Sequence, residues 1–284
     1  MTLDTAWIPF GRGVRVVATH ACGLIAVEKP DGILSHPNPG ETAEKGTILI
    51  AGNYSLDEEA FHVRDGKGGI RRVYLLNRLD SPTSGTLLLS LDEGLADLVR
   101  KMFARSQVSK KYVALIRGPV SYTHLPRGTW QDQMSKSKGP GGGVRSETGA
   151  GAPAVTVYAW QRAAGGTLPL SLIQLEPRTG RTHQLRVQTA AHGHPILGDR
   201  TYGDFEFNKA VGTARGFKRL FLHAESTQLS FEWQGAKVDF KATAPMPAEF
   251  EEALAADDGT PGQGPQGPRR DAGTPISPRL RIRL

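Results

Sequence analysis

At 284 residues with 38% hydrophobic content, the chain is long enough to bury one sizeable core. A formal charge of +7 and a pI of about 9.6 point to a polyanionic partner, nucleic acid first among them, against the plainer reading of a solvated basic surface. A single cysteine, Cys22, excludes an internal disulfide and a cysteine metal cage; with no apolar run of membrane length and no charged-then-apolar start, a cytoplasmic protein is expected.

In chain order, Leu24 to Glu28 is a short apolar run that predicts a buried strand, closed by the turn residues Lys29-Pro30-Asp31-Gly32. Leu87 to Leu89 predicts a second strand. Ser90 and Glu93 have capping-box spacing, and Leu95, Leu98, Val99 and Met102 fall on one helical face, so a helix is expected from about Asp92 to Ala104. Tyr112 to Arg117 predicts a third strand, stopped by Gly118-Pro119. Residues 120–153 are polar and glycine-rich, with Gly139-Pro140-Gly141-Gly142-Gly143 at the centre, and predict a mobile loop or insertion. Lys136, Lys138 and Arg145 could there touch RNA. No Gly-Lys-Ser/Thr follows the glycines, so they are not a phosphate-binding loop.

Val155 to Trp160 and Leu170 to Leu175 predict a pair of strands. After the Thr179-Gly180 turn, Thr182 can cap a helix that runs through His192 and stops at Gly193. Gln228 to Phe231 and Val238 to Ala242 predict a hairpin. Pro247 suits the first position of a short helix to Leu254. From Asp257 the chain is rich in Gly, Pro and Gln and ends in alternating arginines, which predicts a disordered basic tail over 257–284 behind one domain over 1–256. Hairpin spacings outnumber any βαβ alternation. The expected class is α+β, with a mixed, mostly antiparallel sheet, flanking helices and a central cleft.

Three segments carry candidate chemistry. In Asn77-Arg78-Leu79-Asp80-Ser81-Pro82-Thr83-Ser84-Gly85 a carboxylate stands at the mouth of a buried strand, with a cation two positions back; it is either a chemical group or an Asp that starts a turn. Lys110-Lys111-Tyr112-Val113-Ala114 places an aromatic ring on a strand. Thr179-Gly180-Arg181-Thr182-His183-Gln184-Leu185-Arg186 puts Arg181 just before a helix, where backbone N–H groups favour anions, and Arg186 one turn in; either arginine could instead tie two elements together. The histidines lack a metal-ligand spacing, and His183 reads as a hydrogen-bonded structural residue. The glycine elbow of serine hydrolases and the dinucleotide-binding glycines are both absent.

In this order the three segments resemble the RluA-type pseudouridine synthases, which act on ribosomal or transfer RNA. Asn77 to Leu89 is similar to that family's H-R-L-D-x-x-T-S-G-L-L-L stretch, with Asn77 in place of the His. Lys110 to Ala114 is similar to K-x-Y-x-A, Thr179 to Arg186 to T-G-R-x-H-Q-L/I-R, and Gly193 to Gly203 to G-H-P-I-x-G-D-x-x-Y-G. Ile25 to Pro37 is similar to the family's opening strand and loop.

The resemblance implies that Asp80 attacks the ribose at C1′ or takes a proton from C2′, that Tyr112 lies against the uracil, and that Arg186, or failing it Arg181, pairs with Asp80. Both routes need an ionised carboxylate, which a neighbouring arginine favours. Arg78 and Thr83, with Arg181, are implied to hold the everted nucleotide. Neither a cofactor nor a metal is implied. The implied partner is RNA, rRNA or tRNA, bound by a monomer. A catalytically inactive RNA-binding or ribosome-assembly protein on the same fold and an unrelated basic hydrolase are the competing readings.

Overall fold

The computed structural model describes residues 3–38, 46–50, 53–66, 68–118, 127–138, 144–164 and 168–255. Its first half is centred on two apolar runs that have no polar face, residues 24–27 and 87–89. β1 (Arg15–Thr19) and β2 (Leu24–Lys29) form a hairpin, and β3 (Asn53–Ser55), β4 (Ala60–Arg64) and β5 (Ile70–Leu75) meander into β6 (Ser84–Ser90). Along β6, Leu88 packs with Leu24 and Leu95, while Leu87 and Leu89 pack on the opposite side with Ile25, Val27 and Phe61. A strand buried on both faces cannot alternate with polar residues, which is why three leucines run in succession.

The helix α1 (Glu93–Ala104) follows at once. Leu95, Ala96, Val99 and Met102 are its buried stripe. It is capped by the Asp92 side chain, which accepts from the Leu95 amide at 2.8 Å, so the expected capping box on Ser90 is replaced by a cap two residues on.

The second half extends the same sheet. β7 (Ser109–Arg117) leads to β8 (Arg127–Lys138), β9 (Val144–Thr148), β10 (Ala152–Ala163) and β11 (Leu170–Pro177), then to helices α2 (Gln184–Ala191) and α3 (Phe205–Arg215). β12 (Leu222–Trp233), β13 (Ala236–Thr243) and α4 (Ala248–Leu254) complete the described chain. Among the described residues one 13-stranded sheet results, ordered β3-β4-β5-β6-β12-β7-β11-β10-β8-β9, with β2 also on β6 and β13 on β12.

The paired strands are antiparallel except at the join of the two halves, where β6 and β12 run parallel through Ser84–His223 and Gly85–Ala224. That join depends on a glycine. Gly85 has φ of 118°, and a Cβ there would lie 2.3 Å from the Ala224 carbonyl oxygen. The α+β expectation therefore holds.

Two further local expectations do not hold. The polar stretch read as a loop over 120–153 contains β8 and β9, paired from Met134–Thr148 to Lys138–Val144, and the start of β10. Its glycine centre, 139–143, lies outside the described residues, as do residues 119–126 and the proposed tail. Thr182 does not cap α2. That flank is held by His183, whose backbone is left-handed (φ 55°) and whose side chain makes no cap bond. No described helix is long and apolar enough to cross a membrane.

Candidate active site

Asp80 stands in the turn between β5 and β6. The turn is closed by backbone, the Thr83 amide donating to the Asp80 carbonyl at 2.9 Å, so the carboxylate is not spent on starting it. Both neighbours of Asp80 are fixed from the end of β2 and the segment that follows it. Ser35 Oγ donates to the Leu79 carbonyl at 2.8 Å and accepts from the Leu79 amide at 3.0 Å. Lys29 Nζ, fully buried, donates to the carbonyls of Ser81 (2.9 Å), Pro30 (2.9 Å) and Ile33 (2.6 Å). Burial pulls the Lys29 ammonium down to about 7, against the charges of Asp31 and Asp80, which raise it. Asn77 adds a third brace, its side-chain oxygen accepting from the Leu88 amide at 2.8 Å.

Arg186, in the first turn of α2, reaches this carboxylate. Its Nη1 donates to Asp80 Oδ2 at 3.1 Å, while Nε and Nη2 form a two-pronged contact with Asp199 Oδ2 (2.8 Å) and Oδ1 (2.9 Å). Every nitrogen of the guanidinium is thus committed to a carboxylate. Asp199 is 1% exposed; its Oδ1 also accepts from the amides of Thr201 (2.8 Å) and Tyr202 (3.0 Å). Burial works against the Asp199 charge, and the Arg186 bonds outweigh it, so its carboxyl stays below the ordinary value. Arg186 is likewise penalised by burial and pushed up more strongly by Asp199 and Asp80. The Arg186 guanidinium also lies over the Tyr202 ring, 5.2 Å from its centre.

A cleft of about 800 Å³ opens onto this pair, and Asp80, Tyr112, Arg186, Arg78, Arg181 and Thr83 all line it. Tyr112 comes from β7. Burial pushes its phenol upward and the Asp80 charge adds to the effect, so at neutral pH the ring carries an intact hydroxyl. Arg78 is exposed on the cleft. Arg181 does not pair with Asp80; its Nε donates to the Pro153 carbonyl at 3.0 Å. Thr83 is 2% exposed and enters the site chiefly through the turn it closes. Lys110 and Lys136 add positive charge to the lining.

The loop before α2 is organised by Gln184, whose Oε1 accepts from Thr179 Oγ1 (2.8 Å) and the Arg181 amide (3.0 Å) and whose Nε2 donates to the Val155 carbonyl (3.1 Å). The structural reading of His183 is half of what is found: Nδ1 lies 2.8 Å from the Tyr202 hydroxyl, but Nε2 faces Asp80 Oδ2 at 3.8 Å. Lys29, Ser35, Gln184, Asp199 and Tyr202 carry no role legible in the sequence alone. The spacing of Asp199 and Tyr202 from Arg186 is not helical, and only the tertiary path returns them to it. Among the described residues no group of three His, Cys, Asp or Glu side chains could hold a metal ion.

Fold and cleft together define a sheet-built α+β protein with an ion-paired aspartate at the mouth of a basic, aromatic-lined cavity. The chain belongs to the RNA pseudouridylate synthase family, whose model matches residues 23–191. The family's reaction converts uridine in RNA to pseudouridine, which makes the chain an isomerase. Over 210 residues it is 35% identical to a tRNA pseudouridine synthase C of Pasteurella multocida, covering 71% of this chain and 80% of that one. It is 33% identical to the protein of that name from Yersinia pestis, over 77% and 82% of the two chains. Its match to the Pectobacterium carotovorum protein, also 33% identical, covers 77% of this chain and spans 56% of that relative's length.

In fold it is similar to human RNA pseudouridylate synthase domain containing 1, with a TM-score of 0.58 at 22% identity over 89% and 90% of the chains. Asp199 and Tyr202, which hold Arg186 and His183, lie beyond the matched family region.

Proposed function

We propose that this chain isomerises a uridine of tRNA, with Asp80 acting on the ribose, Tyr112 against the base and Arg186 holding Asp80 in place. The observation that carries it is the ion pair between Asp80 and Arg186 on the same cavity as Tyr112. The reaction breaks the N1–C1′ bond, turns the uracil and joins C5 to C1′; C5 gives up its proton and N1 gains one. A base inside a helix cannot be turned, so the target nucleotide must be everted into the cleft. The cleft supplies a carboxylate for the sugar, a ring for the uracil face and cations for the flanking phosphates. Because the Tyr112 phenol keeps its proton, it serves as a stacking face and a hydroxyl near C5, not as a phenolate.

The choice of tRNA is supported by the relatives, which carry that substrate in their names. The reading takes the catalytic unit as residues 1–256, working as a cytoplasmic monomer with Arg78 and Arg181 on phosphates and Thr83 shaping the turn. The test is release of tritium from tRNA transcripts carrying 5-tritiated uridine, followed by mapping of the modified position. Release with pseudouridine at one position is expected; free uracil or cleaved RNA would replace the isomerase with a hydrolase, and binding without release would leave a non-catalytic RNA-binding protein.

A further inference from the structure

His183 is held in a backbone conformation that non-glycine residues seldom adopt, φ 55°, directly before α2. Such strain persists where surrounding contacts over-determine it, and here they fix the ring through a chain of donors. The Ser146 amide of β9 donates to the Tyr202 hydroxyl oxygen at 2.9 Å. An amide N–H can only donate, so the phenol oxygen is the acceptor there, and its own hydrogen is free to go to His183 Nδ1, 2.8 Å away. Burial keeps the imidazole below its ordinary value, in its neutral form near pH 7. A neutral ring that accepts at Nδ1 carries its hydrogen on Nε2. That N–H lines the cleft and lies 3.8 Å from Asp80 Oδ2, too far for a direct hydrogen bond. A donor of fixed direction therefore stands beside the reacting carboxylate with no hydrogen-bond acceptor in reach among the described residues, while all three nitrogens of Arg186 are already engaged.

We infer that His183 Nε2–H donates to the 2′-hydroxyl oxygen of the target uridine, seating the ribose against Asp80 and making the cleft discriminate RNA from DNA. This rests on the pseudouridine-synthase reading. Whether Asp80 addresses C1′ or C2′, the 2′-oxygen is bonded to one of those carbons and adjacent to the other. A carboxylate in reach of either carbon brings that oxygen within range of a donor 3.8 Å from the same carboxylate. The 2′-hydroxyl is also the group by which a protein tells the two nucleic acids apart at one site. β9 takes part in the discrimination without touching substrate, because its amide at Ser146 sets the direction of the Tyr202 hydroxyl.

The test uses the full chain and a stem-loop cut from a tRNA transcript around the uridine that the wild type converts. Its affinity is measured by fluorescence anisotropy with uridine and with 2′-deoxyuridine at that position; conversion leaves the 2′-hydroxyl in place, so the contrast survives turnover. One neutral hydrogen bond predicts that the wild type binds the ribose form about 3- to 10-fold more tightly. His183→Phe is expected to bind both forms alike. Tyr202→Phe, which frees the imidazole to carry its hydrogen on either nitrogen, is expected to retain only part of the preference. No preference in the wild type, or an undiminished preference in His183→Phe, overturns the assignment. Neither result touches the isomerase reading, which fails separately if the wild type releases no tritium from RNA.

Discussion

Arg186 Nη1 lies 3.1 Å from Asp80 Oδ2 although 106 positions separate the two residues in the chain. The pairing depends on two unrelated pieces of local structure. A backbone-closed turn leaves the Asp80 carboxylate free, and the two-pronged Asp199 contact leaves only Nη1 of the guanidinium to point at it. Arg186 is therefore a buried bridge between the interior carboxylate of Asp199 and the cleft-lining carboxylate of Asp80.

Loss of that bridge should be costly in stability as well as in activity. Arg186→Met strands the Asp199 carboxylate in the interior, and removal of one partner from a buried pair costs about 3–5 kcal/mol. Adding Asp199→Asn should recover part of the loss in urea melts, since the second change removes the stranded charge. Strictly additive losses would show that the two side chains do not act as a unit.

Tyr112 should separate into ring and hydroxyl. Tyr112→Phe keeps the ring and is expected to bind RNA as the wild type does while releasing tritium more slowly. Tyr112→Ala should lose both, with stacking alone worth about 1–3 kcal/mol per base. Equal behaviour of the two variants in binding and single-turnover assays would leave the hydroxyl without a task of its own.

The join between the halves should tolerate no side chain at Gly85. Gly85→Ala meets the Ala224 backbone at 2.3–2.7 Å in a conformation that alanine resists, so the loss should exceed about 1 kcal/mol. Gly32 also has a positive φ, 78°, but nothing lies within 4 Å of an added Cβ, so Gly32→Ala carries the conformational cost alone. Thermal melts should place Gly85→Ala below Gly32→Ala, and the reverse order would contradict the close approach.

Acid should weaken the fold through a buried histidine. Arg219 Nη2 donates to Ser84 Oγ at 2.5 Å, Ser84 in turn meets His223 Nδ1 at 2.8 Å, and His223 Nε2 meets the Ala244 carbonyl at 3.0 Å. This arrangement suits a neutral ring. Burial lowers the His223 value from 6.5, with Arg219 adding to the effect against the Ala244 bond and Glu28. The unfolded chain then binds a proton that the folded chain refuses. The contribution is present above pH 6.5 and is lost as the pH falls from there toward the depressed folded value. His223→Asn is expected to flatten the decline in melting temperature between pH 7.5 and 5.5, and an unchanged slope would assign the decline to other groups.

Much of this was legible in the sequence, and the reasons are local. β2, β6 and β7 are continuous apolar runs, and α1 shows its stripe at helical spacing, so each declares itself within a dozen residues. Asp80, Tyr112 and Arg186 were nominated separately, from motifs, and the fold brings all three to one cavity. What stayed hidden depends on distant partners. β8 and β9 are mostly polar, with Trp130 and Met134 the buried apolar side chains of β8, so composition makes them look like a loop. The left-handed turn at His183 replaces the cap expected of Thr182, and the ring it carries is bonded to a tyrosine 19 residues on. Lys29 and Ser35 act on the Asp80 turn from 52 and 44 positions away, which no spacing rule detects.

The most direct measurement compares tritium release from tRNA carrying 5-tritiated uridine by the wild type and by Asp80→Asn, with both proteins checked by thermal melting. Sustained release by the wild type is expected, and none above background by a folded Asp80→Asn. Equal release by the two proteins would remove the Asp80 carboxylate from the chemistry, and with it the role given to Arg186.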